Sequence, residues 1–221
     1  MSEMTIPLAD AELARRLERA EGAVNAAFVE ARARIEPQSG AVWTEIDGVY
    51  AMFDAVASPL TQTFGLGLFN DVTESQLETI EQFFTSRGAP VFHETSPFLA
   101  PETLVLLAER GYRPVELSTV LVRPTASEVV SDGSITVREI VAGEEELWAR
   151  TAGEGWGSES AELAAFIEAF GRVITHASGV HSFLAEREGV PVATASLGIH
   201  GEVALLAGAS TVALARRAGA Q

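Results

Sequence analysis

HGEVALLAGASTVALARRAGAQ, residues 200–221, is the stretch whose reading decides the fold. Glu202 to Val212 is apolar and β-compatible, with Gly208 at its middle, where a bulge or a close backbone approach is expected. Behind it stand Arg216, Arg217, Ala218, Gly219, Ala220 and Gln221, a basic turn of small residues. Turns of that composition offer backbone N–H groups to a phosphate. The stretch therefore reads as a strand feeding an anion-binding loop.

Working upstream, His181 to Glu186 and Val190 to Ile199 form a hairpin over Glu188-Gly189, and His200-Gly201 turns the chain into the quoted strand. Before the hairpin lie two helical segments, Gly143 to Thr151 and Ser160 to Thr175. They are separated by the glycine-rich Ala152-Gly153-Glu154-Gly155-Trp156-Gly157 and preceded by an alternating strand, Ile135 to Ile140.

Strand, two helices, hairpin, strand, phosphate loop: this order resembles the first half of a GCN5-related N-acetyltransferase (GNAT) domain. The loop is similar to that family's R/Q-x-x-G-x-G/A, with Arg216 first, Gly219 fourth and Gln221 sixth, where the family more often has Gly or Ala. Ala213 stands where Pro is common. The resemblance implies an α/β (α+β) fold with a mixed, mostly antiparallel sheet flanked by helices. It implies acetyl-CoA as acyl donor, its pantetheine arm along Thr211 and Val212 and its diphosphate at Arg216, Arg217, Ala218, Gly219, Ala220 and Gln221. The acceptor would be an amine on a small molecule or peptide, attacking the thioester directly. Glu202, at the head of the strand, stands where some members carry the base, and Glu154 and Trp156 lie in the loop that covers the acceptor in the family. Beside these readings, a strand-initial glutamate is equally at home in solvent, and Arg216-Arg217 also reads as basic surface.

In the family a helix, a strand and often a tyrosine that protonates the leaving thiolate follow the loop. The sequence stops at Gln221, so the expectation is a truncated form of a longer enzyme, or a fold that something else completes. The rival reading is a non-catalytic module for acyl-CoA binding or protein interaction. With no fifth strand, the edge of Glu202 to Val212 should be open, to be covered by the first half of the chain or by a second copy in a homodimer.

The first half reads as a helix from Asp10 to Ile35, with apolar residues at three- and four-residue steps. Short β-like runs follow: Ala41 to Ile46, Val49 to Phe53 across an Asp47-Gly48 turn, and Thr63 to Leu68. A helix from Thr73 to Ser86 has Thr73 as cap and Gln76 as its reach-back partner. Then come a short strand at Val91 to Glu94, a helix at Pro101 to Arg110, and a long strand at Tyr112 to Arg123. Leu107-Ala108-Glu109-Arg110-Gly111-Tyr112 resembles the helix-to-strand phrase near the end of GNAT domains. Residues 1–124 thus read as a degenerate GNAT-like half that packs and shapes the acceptor side, and 134–221 as the first portion of a second. Pro124 to Gly133 is the polar boundary. No arginine and glycine loop follows Phe64-Gly65-Leu66-Gly67-Leu68, so no phosphate site is expected there.

Composition narrows the chemistry. Of 221 residues, 47% are hydrophobic and 21% charged, a globular balance. There is no cysteine, which excludes disulfides and thiolate nucleophiles, and no lysine, which excludes Schiff-base chemistry. A formal charge of −16 argues against nucleic acid and anionic membranes and suits an amine-bearing partner, although solubility alone would also account for it. His93, His176, His181 and His200 show no metal-ligand spacing, so no metal is expected. No apolar run approaches the roughly 18 residues of a membrane helix and no signal-peptide order opens the chain, so a cytoplasmic protein is expected.

Overall fold

Helix α1, Ala11–Ile35, opens with Asp10, whose carboxylate accepts the Leu13 N–H at 2.8 Å. The computed structural model describes residues 9–125, 134–217 and 219. It divides into two compact units, and α1 contributes to both: residues 9–22 and 43–125 make the first, 23–42 with the described residues from 134 onward the second.

In the first unit, β1 (Val42–Ile46), β2 (Val49–Phe53) and β3 (Thr63–Phe64) form a three-stranded sheet in that order. Asp47 (φ 48°) and Gly48 (φ 85°) both occupy the left-handed region, as a tight hairpin between twisted strands requires. Helices α2 (Glu74–Thr85) and α3 (Pro101–Glu109) complete the unit. Its core joins Val49, Ala51 and Phe53 of β2 with Leu77, Ile80 and Phe84 of α2 and Leu107 of α3.

Several expected elements are altered here. The strand expected at Thr63 to Leu68 stops at Phe64, because Gly65 (φ 82°) and Gly67 (φ 70°) turn the chain and Leu68 N–H bonds Gly65 O. Val91 to Glu94 shrinks to a parallel bridge between Thr63 and His93. The strand expected from Tyr112 to Arg123 does not form: the segment pairs with no described strand, and a strand without a partner has no ladder. Thr73 does cap α2, but the Gln76 side chain donates to Ile46 O instead of reaching back.

The second unit holds β4 (Thr136–Glu139), α4 (Glu145–Trp156), α5 (Ala161–Ile174), β5 (Val180–Arg187), β6 (Val190–His200) and β7 (Val203–Thr211). The sheet order is β4-β5-β6-β7, antiparallel throughout. The β5–β6 hairpin turns on Glu188 (φ 54°) and Gly189 (φ 78°). Leu184, Thr194 and Ser210 stand in one cross-strand row. The row faces α4: Leu184 packs with Trp148 and Ala152, and Ser210 Oγ donates to Ala152 O at 2.8 Å. The Trp148 indole N–H is satisfied by Phe183 O at 2.9 Å, and Phe28 of α1 stacks on Phe170 of α5 at 4.2 Å.

The glycine-rich segment read as a break between helices is the last part of α4 itself. Each interior glycine in α4 costs about 1 kcal/mol of helix propensity. Close contact offsets that cost: a β-carbon on Gly153 would lie 2.9 Å from Ala164 O of α5, and one on Gly155 would meet β7.

Candidate functional site

The strand β7 is the edge of its sheet, and among the described residues nothing pairs with its outer side. Every second N–H and C=O of an antiparallel edge points outward, so β7 offers a row of backbone donors and acceptors. The pairing with β6 slips between Thr194, opposite Ser210, and Ser196, opposite Ala207. Gly208 and Ala209 therefore bulge against Ala195, and Gly208 takes φ 61°. Thr194 Oγ1 holds the bulge by donating to Gly208 O at 3.2 Å.

Beyond the bulge β7 closes on α4. Val212 N–H bonds Val192 O at 2.9 Å, and a 3-10 turn, Ala213–Ala215, carries the chain to Arg216. The Arg216 guanidinium donates from Nη2 to Gly155 O (2.5 Å) and from Nε to Thr211 O (3.3 Å). It thereby satisfies a carbonyl of the last turn of α4, which has no intrahelical partner, and complements the negative end of the helix. Arg217 (φ 62°) and Gly219 (φ 82°) are both left-handed. Thr211 Oγ1 is buried and finds no hydrogen-bond partner.

Of the residues singled out in the sequence, Thr211, Val212, Arg216 and Arg217 gather at this end of β7, with Gly219 just beyond. Ala218, Ala220 and Gln221 lie outside the described residues. Trp156, half-buried, and Glu154, exposed, are on the last turn of α4, not in a loop, and that turn meets Arg216 through Gly155 O. Glu202 is not part of β7. It is exposed in the turn between β6 and β7, six residues before Gly208, or about 20 Å along an extended strand. The sequence did not single out Gly155 or Ser210 for this end of β7: their contacts join positions 58 and 61 residues apart, and no local spacing announces such a pairing.

A second electrostatic feature lies in the first unit. Glu18 accepts the Gly65 N–H at 3.0 Å while Arg15 Nε donates to Leu68 O, so α1 clasps the turn after β3 at two points. Burial, reinforced by Glu21 and opposed by the Gly65 N–H, pushes the Glu18 carboxyl up to about 7. Burial and then Glu21, Glu18 and Glu116 push Glu94 up to about 7, and burial also raises Glu21. Burial lowers His93 to about 4 against the pull of Glu81, and Glu81 is itself held low chiefly by its hydrogen bonds from Arg110. Among the described residues no group of three or more His, Asp or Glu side chains is disposed to hold a metal ion, and no helix is long and apolar enough to cross a membrane.

No protein-family model matches the chain, and no curated protein matches it. Among solved structures it is similar to a GCN5-related N-acetyltransferase from Kribbella flavida, with a TM-score of 0.54 and 19% identity over 94% of this chain and 76% of that one. The fold is GNAT-like: mixed α and β, with antiparallel sheets flanked by helices.

Proposed function

We propose that this chain provides the donor-binding strand of an acyl-CoA-dependent N-acyltransferase, with acetyl-CoA as donor and an amine, on a small molecule or a peptide, as acceptor. One observation carries the reading: a bulged edge strand, unpaired on its outer side among the described residues, ends in a basic turn at the close of α4.

The residues suit such a donor. An amide-bearing arm finds a ladder of backbone groups along β7. Arg216 and Arg217 bring countercharge, and left-handed backbone such as that at Arg217 and at Gly219 is the kind that presents N–H groups to anions. Acetyl-CoA brings the thioester, whose acyl group passes to the amine nitrogen as the thiol leaves. The protein's part is to hold two reactants in line and to take the proton the amine gives up. Glu202 takes that proton only if the acceptor is presented at the β6–β7 turn, because a base must lie within hydrogen-bond reach, directly or through one water.

Isothermal titration of the chain with acetyl-CoA tests the reading. Binding should weaken at least tenfold in Gly219→Glu, which sets a side chain and a negative charge where the diphosphate would sit. No described atom lies within 4 Å of a β-carbon there, but φ 82° strains any side chain, so Gly219→Ala, with the same strain and no charge, is the control: affinity lost in the glutamate variant alone reports on the ligand. Equal affinity in the variant removes the site assignment. Binding without turnover on any amine leaves the non-catalytic module.

A further inference from the structure

We propose that Ser182 and Ser196 together hold one ordered water beneath the bulge of β7, as a fixed part of the support of that strand. The two serines stand directly opposite each other on β5 and β6, so their side chains leave the sheet on the same face. Both residues are more than nine-tenths buried, and neither hydroxyl has a hydrogen-bond partner. Their neighbours in the next row are satisfied: Thr194 Oγ1 donates to Gly208 O and Ser210 Oγ to Ala152 O. The two orphans are thus confined to one place.

The bulge covers that place. A β-carbon built on Gly208 would lie 3.1 Å from Ser196 Oγ and 3.3 Å from Cη2 of Trp148, so the serine hydroxyl, the bulge and the tip of the indole converge. The Trp148 N–H is committed to Phe183 O and satisfies neither serine. Directly opposed cross-strand residues have β-carbons only about 5 Å apart, so one water can bond both hydroxyls at once. A buried hydroxyl with no partner is costlier than the methyl of alanine, so two in one spot point to a shared polar guest.

Thermal melts of Ser182→Ala, Ser196→Ala and the double variant decide the matter through their sign. With a shared water, each single change strands the water and the other hydroxyl, and should lower Tm by about 2 to 4 °C. The double variant should fall little further, because both changes remove the same bridge. Amide exchange at Gly208 and Ala209 should quicken about tenfold in Ser196→Ala while the amides of α5 keep their protection. A rise in Tm for either single variant, or additive changes in the double, means that the hydroxyls lie in a dry core and overturns the proposal. So does a high-resolution crystal structure with no density between the two oxygens.

Discussion

Gly155 of α4 lies so close to Ser210 of β7 that a β-carbon on the glycine would fall 1.8 Å from the serine Oγ and 3.0 Å from the backbone nitrogen of Thr211. This contact sets the depth at which the helix end seats on β7.

Gly155→Ala should therefore destabilise the second unit by about 2 kcal/mol, the usual cost of overpacking. Adding Ser210→Ala removes the nearest atom but leaves the approach to Thr211 N, so it should recover only part of the loss. Urea unfolding of the three proteins measures this, and identical midpoints would mean that the helix end can shift at no cost.

Arg216 bonds Gly155 O and Thr211 O and so has a structural share, whereas Arg217 makes no such bond to the described residues. Arg216→Ala should lower both stability, by about 1 kcal/mol, and affinity for acetyl-CoA. Arg217→Ala should lower affinity alone. Paired melts and titrations separate the two effects, and equal melting loss in both variants would contradict the assignment.

The carboxyls of Glu18 and Glu94 predict an unusual pH response for the first unit. Their folded values lie near 7, above the ordinary carboxyl value of 4.5, so their protonated forms are favoured in the folded state. The stabilisation is full below the unfolded value and is lost as pH rises through about 7. His93, lowered to about 4 from 6.5, has the opposite sign: its contribution is full above the unfolded value and is lost as pH falls. The two trends overlap, so the informative quantity is the difference between wild type and variant. Glu18→Gln and Glu94→Gln should each be more stable than wild type at pH 8, on the order of 1 kcal/mol after solvent screening, and the gain should vanish near pH 4. A difference that does not change with pH would show that neither carboxyl titrates abnormally.

Glu202→Gln bears on the base. If Glu202 accepts the proton, acyl transfer in a competent enzyme should fall most at low pH and recover at high pH, where the amine deprotonates unaided. A rate unchanged across the profile would agree with its place in the turn, away from the bulge, and would end the assignment.

Two stretches leave apolar surface open: β7, where Leu206 is 75% exposed, and residues 112–123, where Leu117 is 94% and Leu121 89% exposed. Segments of this kind associate. Hydrogen exchange from Leu205 to Ala209 should lose protection on dilution if a second copy covers β7. Leu117→Lys with Leu121→Lys should reduce self-association seen by sedimentation without altering the melt. A monodisperse monomer at every concentration, with fast exchange along β7, would show that no copy covers either stretch.

The sequence by itself determined the local order of the second unit. Alternation and the left-handed pair Glu188-Gly189 made the β5–β6 hairpin legible, and an isolated Gly208 among β-compatible residues announced a bulge. Capping did the same for the helix starts at Asp10 and Thr73, where side chain and N–H are three residues apart. Tertiary structure decided what depended on distant partners. Ala152 to Gly157 has the composition of a loop, yet Gly153 and Gly155 are helical because α5 and β7 approach too closely for any side chain. Tyr112 to Arg123 has the pattern of a strand but is not one, because β structure exists only between neighbours and no described strand lies beside it. Arg216 was legible as a cation; that it closes the end of α4 through Gly155 O was fixed only when the chain brought positions 61 residues apart into contact.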